Sequence, residues 1–448
     1  MSGERERAAR LRGEHIVNLV EYLQGIRAKF DESKGYNAAF AAAHDEVLAA
    51  IVGDAHRRVT IVAGYDDICD CGVCPNRREE CDSAAYREND RRIAARYGVS
   101  VGAEYRAGEL IMLVTRTSFL AERDEMATRL PGIAIMPSRV VLGSVYFGSE
   151  ISEKDSFAVM DAFAEAGGNF IDTAHIYAAW LVNGVGASER TVGKWVRARG
   201  KRDSFIVGTK GAHPPLDAAE KVGRCSRADL EKDLGESLGR LGFDYVDLYW
   251  LHFDEPTRPV GEIIESLAEI KRSGRIRAYG ASNWKTERIE AANEFAKANG
   301  LPPFAASQPW FSLGAVANAP KAQGPTAEVD DPLWRWHVAS GLPMIPYSSQ
   351  ANGYFGEENV AWAKSGFQGE AKRAASFDSP ANRRRLTRAI ELAERKGCTA
   401  NQLALAYLLN QPFAIFPIIG TGNPEHAREA LGAVGAALTA EERAYLLG

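Results

Sequence analysis

The sequence has no apolar run that approaches the roughly 20 residues of a membrane-spanning helix. Its start, "MSGERERAARLRGEH", lacks the apolar segment of a signal peptide. It also has little excess charge of either sign, because 54 Lys and Arg residues stand against 59 Asp and Glu residues. This balance provides neither a basic face for nucleic acid nor a polybasic patch for a membrane surface. We therefore expect a cytoplasmic protein that binds neither, and the sequence leaves its oligomeric state open.

Cysteine is scarce and unevenly distributed. The chain has six cysteines in 448 residues, and four of them form one short cluster: Cys69, Cys71, Cys74 and Cys81. This is not the pattern of a disulfide framework. In a reducing compartment, the spacing C-x-C-x2-C-x6-C indicates a metal site, and we predict zinc or an iron-sulfur cluster. Two alternatives stay open: unligated thiols, or His15 in place of one cysteine, since Cys69 and Cys71 on one extended segment would point to opposite faces.

The pattern of the chain changes near residue 125. Residues 1–125 combine amphipathic helical stretches, the strand-like "RRVTIVAG" and the cysteine cluster, which predicts a small α+β domain. In residues 126–448, short β-branched or aromatic segments alternate with helical stretches of about a dozen residues. This alternation predicts βα units and a parallel sheet. Two domains are also what we expect of a chain too long for one ordinary core.

Eight segments of the second domain have the composition of buried strands. Helical stretches lie between them, and most of these stretches are followed by a glycine at the C-terminal cap position. Eight successive βα units predict an α/β fold of the (β/α)8 TIM barrel type, whose active site lies at the carboxyl ends of the strands. The eight segments are "VVLGS", "NFIDT", "FIVGTK", "YVDLYWLH", "IRAYGASN", "FAASQPWF", "MIPYSS" and "FPIIG".

Ionisable side chains occupy three of these strand ends. Asp172 ends the second strand and Tyr177 follows it, while Lys210 ends the third strand and His252 the fourth. A tyrosine with the ordinary pKa of about 10 is a poor acid near neutral pH until a cation or a hydrogen bond stabilises its anion. Lys210 can supply that cation and Asp172 can keep it charged and oriented. Because His252 can orient a carbonyl by hydrogen bonding, the set predicts proton transfer to a carbonyl oxygen.

Amide, hydroxyl and aromatic side chains follow the next three strands. Ser282 and Asn283 follow the fifth strand, Gln308 lies on the sixth, and Tyr347 and Ser348 follow the seventh. Amide and hydroxyl groups suit a carboxamide, and an aromatic ring suits a flat nicotinamide. These strand ends therefore predict a site for a hydride carrier.

A glycine-rich turn follows the eighth strand. The segment "GTGNPEHAREAL" begins with Gly420 and Thr421 and leads into a helix with Asn423 as the predicted N-cap and Pro424 at the first helical position. Helix N-termini attract phosphate. We therefore predict that a phosphate-bearing dinucleotide binds at this end of the barrel.

Motifs from about residue 130 to 448 resemble those of the aldo-keto reductase superfamily. In chain order they are "NFIDTAHIY", "GTK", "LHFDEP", "YGASNW", "SQPWFS", "PYSSQANGYF" and "PIIGTGNPEH". The resemblance implies an oxidoreductase that interconverts a small aldehyde, ketone or sugar-like carbonyl compound and its alcohol by direct hydride transfer. It implies a catalytic tetrad of Asp172, Tyr177, Lys210 and His252, with Tyr177 as the general acid.

The resemblance also implies the contacts of the cofactor. Ser282, Asn283 and Gln308 would hold the carboxamide, and Tyr347 would stack on the nicotinamide. The predicted cofactor set is completed by residues of the first strand end, of the seventh strand end and of the glycine-rich turn with its helix: Gly143, Ser144, Val145, Ser348, Gly420, Thr421, Asn423 and Arg428.

One departure from the family pattern concerns the adenosine 2'-phosphate. Many family members carry a lysine and an arginine where this chain has Gly420 and His426. Arg428 is the predicted substitute for those cations. Because a 2'-phosphate binds less well without a cationic partner, we favour NADP(H) but keep NAD(H) as an alternative.

Further predictions concern the mouth of the barrel. The connection from about residue 350 to 383 is long enough to form a lid over cofactor and substrate. We interpret His213 and His337 as loop or surface histidines. Aromatic residues mixed with polar ones around the mouth suit a sugar-like carbonyl compound, and they are Tyr146, Trp180, Trp284, Trp310 and Tyr354.

The N-terminal domain resembles a small bacterial domain family of unknown function. The segments that carry this resemblance are "LRGEH", "KGYNAAF" and "VAGYDDICDCGVCPNRREEC", over about residues 10 to 110. It implies no established activity. Two alternatives to the enzyme stay open: a nicotinamide-binding redox sensor or regulatory subunit, and an electron-transfer fusion that uses the cysteine cluster. The complete tetrad favours the enzyme.

Overall fold

The computed structural model describes residues 60–64, 103–106, 109–113, 129–315 and 332–448. The chain divides into two compact units between residues 127 and 128. The cysteine cluster, Cys69 to Cys81, and His15 lie outside the described residues, so the metal site stays a prediction. Among the described residues, no group of three or more His, Cys, Asp or Glu side chains could hold a metal ion. Their helices also include none that is long and apolar enough to cross a membrane.

The described part of the first unit is a three-stranded antiparallel sheet. It consists of β1 (Thr60–Gly64), β2 (Ala103–Arg106) and β3 (Glu109–Leu113), in the order β1-β3-β2. In the register of this sheet, Thr60 pairs with Leu113 and Ala103 with Met112. The strand predicted from "RRVTIVAG" is confirmed by β1.

The second unit is built around a parallel sheet of seven strands. The order of strands, β10-β4-β5-β6-β7-β8-β9, places the last strand of the chain beside the first strand of this unit. A parallel sheet with this order curls into a ring, as the barrel prediction requires. The strands are β4 (Val141–Gly143), β5 (Phe170–Asp172), β6 (Ile206–Gly211), β7 (Val246–Leu251), β8 (Ile276–Ser282), β9 (Ser307–Gln308) and β10 (Ile418–Gly420).

The predicted seventh strand of the barrel is irregular. The Ile345 N–H donates to Ser307 O at 2.8 Å on one side, and the Phe416 N–H donates to Met344 O at 2.9 Å on the other. Pro343 and Pro346 have no N–H, so this segment cannot form a continuous ladder. It nevertheless fills the gap between β9 and β10. The barrel is confirmed, but the prediction of a regular strand here is wrong.

Alternate residues of the strands point to two different cores. On β7, Tyr249 and Leu251 pack with the surrounding helices, whereas Leu248 and Trp250 belong to a second cluster together with Phe170 of β5. This division places the second cluster inside the ring, as the period of two along a strand dictates. The barrel interior is therefore filled with side chains, and the polar groups lie at the carboxyl ends of the strands.

Helices follow the strands as the βα pattern predicts. Serine side chains cap α1 and α3, and Gly242 ends α3 in the left-handed conformation that a glycine C-cap requires. In chain order the helices that the structure describes in the second unit, outside residues 316–331, are α1 (Glu153–Glu165), α2 (Ala187–Arg199), α3 (Arg227–Leu241), α4 (Val260–Arg272), α5 (Thr286–Ala298), α6 (Pro332–Ser340), α7 (Glu357–Lys364), α8 (Pro380–Lys396), α9 (Ala400–Leu409), α10 (Pro424–Gly432) and α11 (Ala440–Leu447). Short 3-10 turns span Arg202–Ser204, Ala351–Gly353, Ala375–Phe377 and Ala433–Gly435.

Candidate active site

A cavity of about 1550 Å³ lies at the carboxyl ends of the barrel strands. Its lining includes all four residues predicted to be catalytic: Asp172, Tyr177, Lys210 and His252. It also includes most of the predicted cofactor residues, namely Gly143, Val145, Ser282, Asn283, Gln308, Tyr347, Ser348, Gly420, Thr421 and Asn423. The residues chosen from separate strand ends thus share one cavity.

Asp172 and Lys210 form an ion pair, and each side chain is almost completely buried. Lys210 Nζ donates to Asp172 Oδ2 and, at 2.9 Å, to the carbonyl oxygen of Thr173. Gln308 Nε2 donates to Asp172 Oδ1 at 3.0 Å. Both oxygens of the carboxylate are therefore engaged, which fixes the position of the amine.

Burial and the ion pair shift the pKa values of Asp172 and Lys210 in opposite directions. Burial raises the pKa of Asp172, against the charge of Lys210 and the hydrogen bonds from Lys210 and Gln308. Burial lowers the pKa of Lys210, against the charge of Asp172. Each residue thus stabilises the charged form of the other, which burial alone would disfavour.

Tyr177 lies next to this ion pair. It follows β5 in a turn, with its N–H donating to Ala174 O at 3.1 Å. Its ring centroid is 4.7 Å from Lys210 Nζ. Burial raises the pKa of Tyr177 well above its ordinary value, and the nearby carboxylate of Asp172 adds to this effect. The phenol is therefore protonated near neutral pH, and the closest cation to relieve its anion is Lys210.

His252 follows β7 and lies near Tyr177. The two ring centroids are 6.2 Å apart and the rings are nearly perpendicular. Burial lowers the pKa of His252 well below its ordinary value, with the charge of Lys210 as a further cause, so the imidazole is neutral. Its Nδ1 is buried and has no hydrogen-bond partner among the described residues. Because a buried N–H without an acceptor is unfavourable, we place the proton on Nε2, which can then donate to an oxygen in the cavity.

The predicted carboxamide and nicotinamide residues are connected to one another. Tyr347 OH donates to Asn283 Oδ1 at 2.8 Å, and Asn283 Nδ2 donates to His252 O at 3.0 Å. Ser282 Oγ donates to Gln308 O at 2.9 Å. Asn283 has a φ of 58°, a left-handed conformation that asparagine tolerates better than most residues. These bonds fix the orientation of the Tyr347 ring and of the polar groups around it.

The turn after β10 has the predicted helix start. Asn423 is the N-cap of α10, and its side chain accepts a hydrogen bond from the N–H of Glu425 at 2.9 Å, with Pro424 at the first helical position. Thr421 Oγ1 accepts from the N–H of Asn423 at 2.9 Å. The cavity thus extends from the ion pair to the N-terminus of a nine-residue helix.

Two residues of the predicted cofactor set do not reach the cavity. The Ser144 hydroxyl is buried, donates to Asp172 O at 2.9 Å and lies 2.8 Å from Ser188 Oγ. The guanidinium of Arg428 is bound by Glu425 at 2.6 Å and Glu165 at 2.9 Å on the helix surface. Ser144 therefore connects the loop after β4 to the end of β5, and Arg428 links two helices.

The predicted aromatic walls are only partly present. Tyr146 and Trp180 line the cavity, with ring centroids 6.5 Å apart. Tyr354 is fully buried in the core near α7, and Trp284 packs on Phe304 at 5.3 Å. Neither these two nor Trp310 belongs to the lining among the described residues. The interpretation of these three as wall residues is wrong.

Of the two histidines interpreted as loop or surface residues, His213 lies in the loop after β6, as predicted, whereas His337 does not. His337 is fully buried on α6, with Nε2 at 2.9 Å from Ser307 Oγ. His213 lines the cavity, and its ring centroid is 4.9 Å from that of His252. The signal for His213 was its place directly after β6, since loops after barrel strands carry the active site.

The long connection after the irregular segment forms one wall of the cavity. Its residues in the lining are Gln350, Asn352, Gly353, Phe355, Gly356 and several of α7, together with Arg373. Asn359 anchors the connection, because its Nδ2 donates to Tyr354 O at 3.0 Å and its Oδ1 accepts from the N–H of Lys372 at 2.9 Å. The segment therefore lines the same cavity as the residues predicted to bind the cofactor, and its opening as a lid stays a prediction.

Comparison with known families agrees with this geometry. Residues 139–447 match the sequence model described as "Aldo/keto reductase family". Residues 35–128 match the one described as "Protein of unknown function (DUF1284)". The two resemblances stated from the motifs are thus confirmed, and the second gives no activity.

Individual relatives match the same part of the chain. Norsolorinic acid reductase stcV of Emericella nidulans is 29% identical over 325 residues, 70% of this chain and 78% of the relative. An aryl-alcohol dehydrogenase of Phanerodontia chrysosporium, named with NADP(+), is 26% identical over 70% of this chain and 83% of the relative. The uncharacterized oxidoreductase YrpG of Bacillus subtilis is 30% identical over 70% of this chain and 92% of the relative.

A solved structure matches the barrel. It is the crystal structure of an aldo-keto reductase from Klebsiella pneumoniae in complex with NADPH. The TM-score is 0.50 at 24% sequence identity, over 69% of this chain and 90% of the other. At this identity the match demonstrates a common fold.

Proposed function

The chain belongs to the aldo/keto reductase family, and we propose that it reduces an aldehyde or ketone to its alcohol with NADP(H). Membership in this family makes it an oxidoreductase. The observation that carries the proposal is the buried Asp172–Lys210 pair with Tyr177 beside the amine, in a cavity with room for a dinucleotide and a substrate. NAD(H) is the alternative cofactor.

The residues of the cavity fit a nicotinamide dinucleotide. Ser282, Asn283 and Gln308 offer amide and hydroxyl groups to a carboxamide, and the Tyr347 ring offers a flat apolar face. The N-terminus of α10, behind Gly420 and Thr421, suits a phosphate group. When bound, the nicotinamide would supply the hydride for the carbonyl carbon. The name of the Phanerodontia relative supports NADP(H) as this cofactor.

The side chains of the chain itself would handle the proton. Tyr177 would donate it to the carbonyl oxygen, because burial keeps the phenol protonated until the oxygen becomes basic. Lys210, 4.7 Å from the ring, would stabilise the phenolate that remains. Asp172 would hold the amine in place, and the neutral His252 would orient the carbonyl oxygen through Nε2.

The substrate side of the cavity favours an aromatic carbonyl compound. Tyr146 and Trp180 line it while 43% and 47% of their surfaces are exposed. Large exposed aromatic surfaces in a concave site gain from being covered by a flat apolar ligand. The name of the Phanerodontia relative, an aryl-alcohol dehydrogenase, also supports an aryl substrate. A sugar-like substrate is the competing prediction from the sequence.

A substrate panel tests this proposal. We expect the full-length protein to oxidise NADPH, followed by nicotinamide absorbance, in the presence of benzaldehydes and aryl ketones. Because the aromatic walls cannot cover a polyhydroxylated chain as well, we expect kcat/KM for benzaldehydes to exceed that for aldoses by about tenfold or more. A preference for aldoses would contradict the aryl substrate and leave the reductase intact. Turnover of neither NADPH nor NADH with any carbonyl compound would contradict the proposed function.

A further inference from the structure

We infer that the carbonyl substrate carries an anionic group and that Lys221 binds this group. The inference rests on the proposed function, since it concerns the substrate side of the same cavity. Lys221 belongs to the connection between β6 and α3 and lines the cavity. It was not among the site residues predicted from the sequence.

The ion pairs of the cavity wall single out Lys221. Four lysines and arginines of the described residues line the cavity. Lys210 is paired with Asp172, Lys364 with Glu394 at 2.9 Å, and Arg373 with Glu358 at 3.5 Å. Lys221 makes no ion pair with any carboxylate in the part of the chain that the structure describes. An unpaired cation in a concave wall attracts an anionic ligand.

Lys221 lines the same cavity as the residues proposed to contact the reacting carbonyl. His213 also lines the cavity, and its ring centroid is 4.9 Å from that of His252. Lys221 is close enough to His213 to contribute, after burial, to the lowering of the pKa of its imidazole. Lys221, His213 and His252 thus line the same cavity. A substrate whose carbonyl meets Tyr177 and His252 would extend past His213 toward Lys221.

The basic groups near Lys221 are either neutral or paired with carboxylates. The Nδ1 of His213 donates to Pro214 O at 2.5 Å, and burial lowers the pKa of the ring, so His213 is neutral. Arg224, the other cation near His213, is bound by Asp229 and Asp233. Asp217 and Glu220 of the same connection are exposed, and neither is part of the cavity lining.

The aromatic walls and the unpaired lysine define the substrate class together. Tyr146 and Trp180 would cover a flat ring, and Lys221 would bind an anion attached to it. An aromatic aldehyde with a carboxylate substituent has both features. Because Lys221 is largely exposed, solvent weakens its attraction for the anion, and we expect a preference of about tenfold rather than a strict requirement.

Two probes of the same shape and different charge test this inference. 4-Carboxybenzaldehyde carries the anion, and 4-formylbenzamide replaces the carboxylate with a neutral amide. We expect kcat/KM of the full-length protein for the carboxylate to exceed that for the amide by about tenfold at low salt, and added KCl to reduce this ratio. In Lys221→Met the ratio should fall to about one through a higher KM for the carboxylate, with kcat retained.

Further variants separate the binding of the anion from other effects. Lys221→Arg keeps the charge and should retain most of the preference. Lys201→Met removes an exposed lysine that is not part of the cavity lining, and it should leave the ratio unchanged. Equal turnover of both probes by the unmodified protein would overturn the inference and leave the reductase standing. A preference that survives Lys221→Met would overturn the role of Lys221. Turnover of neither probe, nor of any other carbonyl compound, would remove the proposed function and this inference with it.

Discussion

Tyr177→Phe is expected to lower kcat for carbonyl reduction by about 10²–10⁴-fold, the usual contribution of a general acid. The substitution removes the phenolic proton and retains the ring that packs near Lys210 Nζ and His252. Cofactor binding should change little, because the residues proposed to hold the nicotinamide are on β8, β9 and the segment after it. Single-turnover kinetics and a fluorescence titration with NADPH measure the two quantities separately.

Tyr146→Phe is the matched control for this variant. Tyr146 also lines the cavity, but its ring packs against Trp180, with centroids 6.5 Å apart. We expect kcat to stay within about twofold of that of the unmodified protein, so that an effect of the substitution would be confined to KM. Normal turnover by Tyr177→Phe would show that another group delivers the proton.

Lys210→Met is expected to abolish activity and to lower the free energy of unfolding by about 3–5 kcal/mol, since it leaves a buried carboxylate without its cation. Asp172 and Lys210 are each about 1% exposed, so water cannot replace the lost partner. Burial raises the pKa of Asp172, so the folded variant takes up a proton at a pH where the unfolded chain does not. The loss of stability should therefore shrink as the pH falls through the raised pKa of this carboxyl.

The double variant Lys210→Met with Asp172→Asn separates stability from catalysis. Without a charge on either side chain, the buried pair no longer contains an uncompensated ion, and the amide oxygen can still accept from Gln308 Nε2. We expect most of the stability to return while reduction stays absent, as denaturant titrations and NADPH turnover would measure. Recovery of activity in the double variant would contradict the role of the ammonium group beside Tyr177.

The common location of the four residues predicted to be catalytic could be predicted from the sequence, because barrel geometry restricts where an active site lies. Asp172, Lys210 and His252 each follow a run of β-branched or aromatic residues, and parallel strands bring all their carboxyl ends to one side. The two-residue period of a strand further determines that Lys210 points inward when Thr209 points to the helices. Thr209 indeed bonds to Glu189 of α2 at 2.7 Å. The position of these residues at the strand ends and the direction of the Lys210 side chain thus follow from the local pattern of the sequence.

Other features depend on packing that no local pattern contains. Trp284 and Tyr354 are as aromatic as Trp180, but they are turned into the core while Trp180 is exposed in the cavity. Arg428 has the charge that a 2'-phosphate needs, yet Glu165, far away in the sequence, binds it. The irregular segment departs from a regular strand because Pro343 and Pro346 have no N–H group to donate. These differences arise from contacts between distant residues or from the backbone chemistry of single positions.

Transfer of isotope from deuterated cofactor to product tests the central claim most directly. NADPH deuterated at C4 of the nicotinamide, on the face from which hydride is lost, would be incubated with a benzaldehyde and the full-length protein in ordinary water. The account predicts one deuterium on the carbinol carbon of the alcohol, because the hydride comes from the cofactor and Tyr177 supplies only the oxygen-bound proton. An alcohol whose carbinol carbon has gained its new hydrogen from water would contradict it.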